Sequence, residues 1–548
     1  MKNLKFSSRF GIDYNSLEEF RFDNPFHGDG RTNGGRGTAF YTRIFNWINT
    51  NQLIYTFYPD RNKNFRIEAL AGYEAQKSKE YDLSAQSNGY PPTSQLPYST
   101  NAATVINGKL AGTDYAFNSI ISTASVNYKN KYVVNGSYRR DGSSRFSENN
   151  RFGNFWSFGA AWNVDKESFF PANNVLTAFK LRGSYGRTGN AGIGNYAWRQ
   201  TFGYGANYNS QPGGTFNTIG NSDLTWEGNT QVDIGIDATF WKNRISVVAD
   251  YYKRISDGLL FADPLSPTTG FASITRNIGE MQNKGFEFTL NATPVATKDF
   301  KWDVSFNISF NKNKITKLPG HKDIIDATLP FILREGYDYR TFYGRVYVGV
   351  DPANGDPLWY KDSTHTSTVN NRSLATREVL AGKSASPKAF GGMSTTFSYK
   401  GFSATVDFIY NYGNYVTDGW AFYLVDGVDP IEQKYAINLK RWQKPGDITD
   451  VPKYVYGATN NSSSFSTRFL QKGDYIRMRN ITFGYTVDSK VVSKLHLTNV
   501  NFYVRGTNLW TKTYDKNLTI DPEQGVNSSS NLDVYYNKTI TFGLNLGF

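Results

Sequence analysis

The last eleven residues, KTITFGLNLGF (538–548), decide the fold. Ile540, Phe542, Leu544, Leu546 and Phe548 are apolar, while Thr539, Thr541, Gly543, Asn545 and Gly547 between them are small or polar. Successive side chains of a strand point to opposite faces, so this stretch reads as a ribbon with one apolar and one polar side. The pattern recurs upstream. In 231–240, Val232, Ile234, Ile236, Ala238 and Phe240 oppose Gln231, Asp233, Gly235, Asp237 and Thr239. In 302–311, Trp302, Val304, Phe306, Ile308 and Phe310 oppose Asp303, Ser305, Asn307, Ser309 and Asn311. Segments 285–293 and 499–505 alternate in the same way, and in all of them charge falls on one face only.

Alternation alone also fits a soluble sandwich. The links between strands separate the two readings. Short polar links (60–64, 128–131, 241–244, 399–402) alternate with long ones (81–115, 188–225, 258–280, 415–471). Short periplasmic turns and long extracellular loops are the signature of an outer-membrane barrel. About sixteen strands are expected, at 2–16, 36–59, 64–80, 116–129, 131–146, 152–164, 177–188, 226–240, 243–257, 281–295, 299–316, 387–399, 402–414, 472–487, 498–512 and 538–548. A strand-like piece at 340–350 falls in a long loop. The expected fold class is all-β, an antiparallel transmembrane β-barrel of the outer membrane.

The composition fits. No run approaches the roughly 20 apolar residues of a membrane helix, which excludes a helical membrane protein and leaves a barrel open. The 88 aromatic residues (37 Tyr, 40 Phe, 11 Trp) suit girdles at the two membrane interfaces. With no cysteine, thiol catalysis, Cys-bound zinc and disulfides are excluded. The net charge of +13 is dispersed, with no basic run or recognisable nucleic-acid module, so ordinary solvated surface charge is the default reading, and lipid phosphates or an anionic substrate come ahead of nucleic acid as partners. Met1 opens directly into a strand-like pattern with no signal peptide visible.

Several blocks resemble the SusC/RagA family of TonB-dependent outer-membrane transporters of Bacteroidetes. They are NYKNKYVVNGSYRRDGSSRF (127–146), LRGSYGRTGN (181–190), DLTWEGNTQVDIGID (223–237), NIGEMQNKGFEFTL (277–290), FYGRVYVGVDPANGDPLWY (342–360), RWQKPGDITDVPK (441–453), YIRMRNITFGYTV (475–487), RGTNLWTKTYDKNLTIDPE (505–523) and the closing TITFGLNLGF. The resemblance implies a 22-stranded barrel with an N-terminal plug and a TonB box, energised by TonB-ExbB-ExbD. It also implies a SusD-like surface lipoprotein as lid and import of oligosaccharides or peptides. Residues 1–548 would then be the C-terminal barrel portion, without signal peptide, TonB box or plug, and its edge strands 2–16 and 538–548 would either gape or pair with each other. An outer-membrane barrel of structural or export role, or a barrel hydrolase, are the alternatives.

No enzyme chemistry is expected. His27, His321, His365 and His496 are scattered and show no metal-ligand spacing. No nucleophile elbow or P-loop is present. Asp351, Asn354 and Asp356 form an oxygen-rich, Gly-bent candidate calcium loop without EF-hand spacing. Arg139, Asp141 and Arg145 read as an inter-strand ion network or as bidentate contacts to ligand. Loop aromatics (Tyr196, Trp198, Tyr204, Tyr208, Trp359, Trp420, Tyr423 and Trp442) offer faces on which sugar rings stack, or pack within the loop layer. Of these, Trp198, Trp359, Trp420 and Tyr423 join Arg139, Asp141 and Arg145 as the candidate ligand residues. No cofactor beyond the calcium candidate is expected.

Overall fold

A computed structural model describes residues 3–92, 98–171, 175–326, 329–427, 433–525, 529–530 and 536–548. Sixteen strands form one sheet: β1 (Leu4–Asp23), β2 (Arg36–Phe57), β3 (Phe65–Asn88), β4 (Thr104–Tyr128), β5 (Tyr132–Ser143), β6 (Phe152–Asn163), β7 (Leu176–Asn190), β8 (Glu227–Phe240), β9 (Ile245–Pro264), β10 (Ser273–Ala296), β11 (Phe300–Lys317), β12 (Ala389–Tyr399), β13 (Phe402–Tyr412), β14 (Tyr475–Thr486), β15 (Asn499–Thr513) and β16 (Thr539–Gly547). Each strand is hydrogen-bonded to its neighbours in chain order, from β1 at one end of the order to β16 at the other.

All sixteen expected strands are present, but several run further than the alternation suggested. β1 continues to Asp23, and much of the expected loop 81–115 is the extended hairpin of β3 and β4, paired from Phe65↔Tyr128 to Asn88↔Thr104. Likewise β9 reaches Pro264 and β10 begins at Ser273, shortening the expected loop 258–280. These extensions lack a clean apolar face because backbone pairing, rather than burial of a greasy stripe, carries them. The tight links are turns. Lys129 and Asn130, between β4 and β5, both take left-handed φ (51° and 53°), the geometry whose twist matches a two-residue hairpin.

The two faces of the strands differ as a lipid-facing wall requires. Apolar residues of the alternating segments are the exposed ones: Phe542 is 78% exposed, Ile234 59% and Phe6 66%. In the final pair, β15 and β16, register sets Phe502 opposite Leu544 and Val504 opposite Phe542 on this face. On the other face Tyr503 lies across Gly543, where a Cβ would fall 2.1 Å from the ring; only glycine fits.

The molecule contains two compact units: Met1–Trp162, Gly183–Val232 and Ser256–Gly279 in the first, Asn163–Arg182, Asp233–Ile255 and Glu280–Phe548 in the second. Within the first, Phe65, Tyr128, Tyr132 and Trp162 form a row of rings at the tight-turn ends of β3 to β6, with centroids 4.4, 6.4 and 6.2 Å apart. Within the second, Trp302 and Phe397 (5.7 Å), and Phe402 and Tyr485 (4.6 Å), mark the same ends. Such rows are what an interfacial girdle needs.

Buried apolar clusters lie in the connections. In the first unit Phe146, Ala191 and Leu224 pack with Trp198 and Trp226. In the second, Phe331, Phe342, Leu380, Ala385 and Leu470 pack with Tyr415 and Phe465. The connection 318–388 has small sheets of its own, and the expected piece 340–350 divides between two of them, as Thr341–Gly344 and Tyr347–Val350.

Candidate functional site

Two cavities of the second unit lie where the polar ends of β11 to β14 meet the long connections. One, about 660 Å³, is lined by Asn307, Arg340, Tyr410, Asn411, Tyr475 and Glu523, among others. The other, about 690 Å³, includes Tyr251, Lys284, Asp338, Thr341 and Lys388. Ser386 and Pro387 line both, so the segment between Glu378–Ser384 and β12 is the partition. Asp338 fixes that partition: its Oδ1 accepts from Ser384 Oγ at 2.7 Å, Ser386 Oγ at 2.8 Å and the Arg340 backbone N–H at 2.8 Å.

The far wall, residues 521–525, is held by charge. Arg477 of β14 is 2% exposed. Its guanidinium donates to both Asp521 oxygens (2.7 and 2.8 Å), to Glu523 Oε2 (2.7 Å) and to Thr511 Oγ1 (2.9 Å). Arg479 adds a second bond to Glu523. A guanidinium satisfied on all sides by oxygen is a fixed post, not a free ligand contact. The cavity therefore offers amides, hydroxyls, aromatic rings and Arg340, and a volume in the range for small ligands. No nucleophile–base pair is among the residues that line it.

The residues singled out in the sequence fall in different places. Arg139 donates to Asp141 Oδ1 (2.5 Å), Glu74 Oε1 (2.9 Å) and Ser119 Oγ (2.9 Å), forming an inter-strand network across β3, β4 and β5. Arg145 leaves that network: it lies 4.2 Å over the Tyr115 ring and donates to Asn195 and the Ala191 carbonyl, tying 191–195 to β4. Trp198 joins the apolar cluster there and donates to the Ser144 carbonyl. Trp359 is fully enclosed, its ring edge-on to Tyr347. Trp420 and Tyr423 come together, ring centres 5.2 Å apart, with Tyr423 exposed.

The oxygens of the calcium candidate are occupied by the turn and by Lys453 and Asn370. Asp351 accepts from Ala353 N and Asn354 Nδ2, Asn354 accepts from Asp356 N, and Asp356 pairs with Lys453 Nζ at 2.9 Å. Burial pushes the Asp356 carboxyl up, but its bonds to Lys453 and Asn370 outweigh this and hold it below its ordinary value. A lowered pKa gives stability that is present above the ordinary carboxylate range and lost as pH falls through the folded value. Hydrogen-exchange protection of turn 351–356, corrected for intrinsic rates, should therefore fall below about pH 4. Unchanged protection down to about pH 2 would rule this out.

Sequence reading missed the charged posts of the polar face. Arg182 bridges Asp237 (3.1 Å) and Asp250 (2.6 Å) in the second unit, and in the first Arg187 grips Asp257 with two bonds (2.9 and 2.7 Å). Their signal was present, since each is a charge opposite the apolar face. The partners are 55 to 70 residues away and become visible only through strand pairing.

An all-β chain with an exposed apolar face, a charged and polar face, interfacial rings and folded outer connections is an outer-membrane barrel receptor. Residues 2–545 match the family model described as TonB dependent receptor-like, beta-barrel, and the chain belongs to that family, whose members are outer-membrane receptors and not enzymes. TonB-dependent receptor P3 of Formosa agariphila is 30% identical over 585 residues, covering 100% of this chain and 56% of that protein. TonB-dependent receptor SusC of Bacteroides thetaiotaomicron is 30% identical over 379 residues, covering 65% of this chain and 36% of SusC. The solved structure of the RagAB peptide transporter superposes with a TM-score of 0.87 and 27% identity, covering 100% of this chain and 60% of that one. The chain spans about half the length of the curated relatives it matches.

Proposed function

We propose that this chain forms the membrane wall and outer binding chamber of a SusC-like, TonB-dependent importer that takes oligosaccharides or short peptides beneath a SusD-like lipoprotein. The observation that carries the reading is the cavity of about 660 Å³ between the strand ends and the folded connections, whose lining includes amides and tyrosines. Hydrogen-bonding amides and tyrosines suit ligands rich in hydroxyl or peptide groups, and the relative named as a peptide transporter shares this fold over the whole chain. The chamber's role is passive: it selects and holds, and TonB supplies the work.

Uptake tests this. Proteoliposomes carrying the full-length gene product are loaded with labelled oligosaccharide or peptide outside, with and without an energised TonB partner. Accumulation is expected only with TonB. Equal uptake without it would overturn the energised mechanism.

A further inference from the structure

The connection 318–388 contains three arginines that the importer reading leaves without a role. Gly344 pairs with Glu378 at the end of a short antiparallel ladder, and Arg345 follows the one strand as Arg377 precedes the other. Arg372 opens the short helical turn Arg372–Leu374 just before it. Arg345 Nε donates to the Ala375 carbonyl at 2.8 Å, and Arg372 donates through Nε and Nη2 to the Phe465 carbonyl at 2.9 and 2.7 Å. Those bonds fix one edge of each half-buried guanidinium, while Arg377 stands exposed beside them. Carbonyls orient a cation without neutralising it.

Among the described residues no carboxylate pairs with any of the three. Glu378, the neighbour of Arg377 in sequence, is hydrogen-bonded to His365 at 2.9 Å instead. Burial, together with Arg345 and Arg377, pushes the Arg372 guanidinium down to about 10, and Arg345 is depressed by burial and by Arg377. The three guanidinium groups repel one another. Partly buried cations without a counter-charge are costly, which points to an anion supplied from outside.

We propose that Arg345, Arg372 and Arg377 bind a carboxylate group of the imported substrate. The proposal rests on the importer reading and narrows its substrate to an acidic sugar or a peptide with a free carboxylate. The flat guanidinium fork takes a carboxylate through two parallel N–H bonds, and the carbonyl anchors on Arg345 and Arg372 set those forks in advance. Two of the three are half-buried, which admits a small group on a flexible ligand more readily than the broad surface of another protein.

The test measures binding by calorimetry on the full chain in detergent, at constant ionic strength. Glucuronate is compared with glucose, and acetyl-Ala-Ala with its C-terminal amide. The charged member of at least one pair is expected to bind at least ten-fold more tightly than its neutral twin; the pair showing the larger gain names the source. Arg377→Gln and Arg345→Gln should each abolish most of that gain, while the unliganded melting temperature stays level or rises as repulsion is relieved. Equal binding of charged and neutral probes, or a gain that both variants retain, would overturn the proposal. So would lipid A competing at lower concentration than either charged probe, since the site would then serve a lipid phosphate. Calorimetry does not involve TonB, so loss of the importer reading and loss of this site are read separately.

Discussion

Arg468→Ala should unseat the connection 413–474 while leaving the strands intact. Arg468 and Asp426 form an ion pair with side chains only 7% and 2% exposed, closed by two bonds of 2.6 and 3.0 Å. Burial disfavours the charge on Arg468, but Asp426 more than compensates and raises it above its ordinary value. Around the pair lie the Tyr347 ring, 5.5 Å from the guanidinium, and the Phe469 ring at 5.0 Å. Removing the cation leaves a carboxylate with neither water nor partner, a loss of about 3–5 kcal/mol. Limited proteolysis should then cut within 413–474 while heat-modifiable migration on gels, the mark of intact strands, persists. Arg468→Met combined with Asp426→Leu should recover most of the protection, because replacing a whole buried pair by apolar volume is often neutral. If Arg468→Ala is as protease-resistant as the parent, the pair does not hold the connection.

The second large effect belongs to the lipid face. Phe542→Arg in β16 places a charge where the ring is 78% exposed and the strand, nine residues long, is about the length that crosses hydrocarbon. The expected cost is about 2–4 kcal/mol near the midplane, read as a lower urea midpoint for folding into lipid vesicles. Asn545→Lys, on the other face of the same strand and opposite Asn501, should change the midpoint little. Equal effects of the two substitutions would refute the assignment of faces.

These outcomes also locate what the sequence could and could not convey. Period-two alternation made β8, β11, β15 and β16 legible because a membrane-facing strand must keep one face apolar, whatever its partners. The outer halves of β1, β3, β4 and β10 were less so. Stretches such as Tyr81–Asn88, extended by hydrogen bonds to 104–112, carry no such requirement. Arg139 with Asp141 was readable as a network because both lie on one strand, two residues apart. The cluster of Arg345, Arg372 and Arg377 was not, since it depends on a small sheet of the connection bringing distant segments together. Trp359 illustrates the opposite error of emphasis: an aromatic in a loop suggests a stacking surface, yet this one is enclosed.

The apolar clusters built on Phe146 and on Phe342 lie in the connections, whereas the strands keep their greasy side for lipid. The Phe342 core is shared by two connections, since Leu470, Tyr415 and Phe465 of 413–474 complete it, so the two carry their folding instructions jointly. Selection can therefore vary the two connections as a set, leaving untouched the register that seats the protein in its bilayer. Grafting 318–388 together with 413–474 between relatives would thus move that core whole onto a constant scaffold.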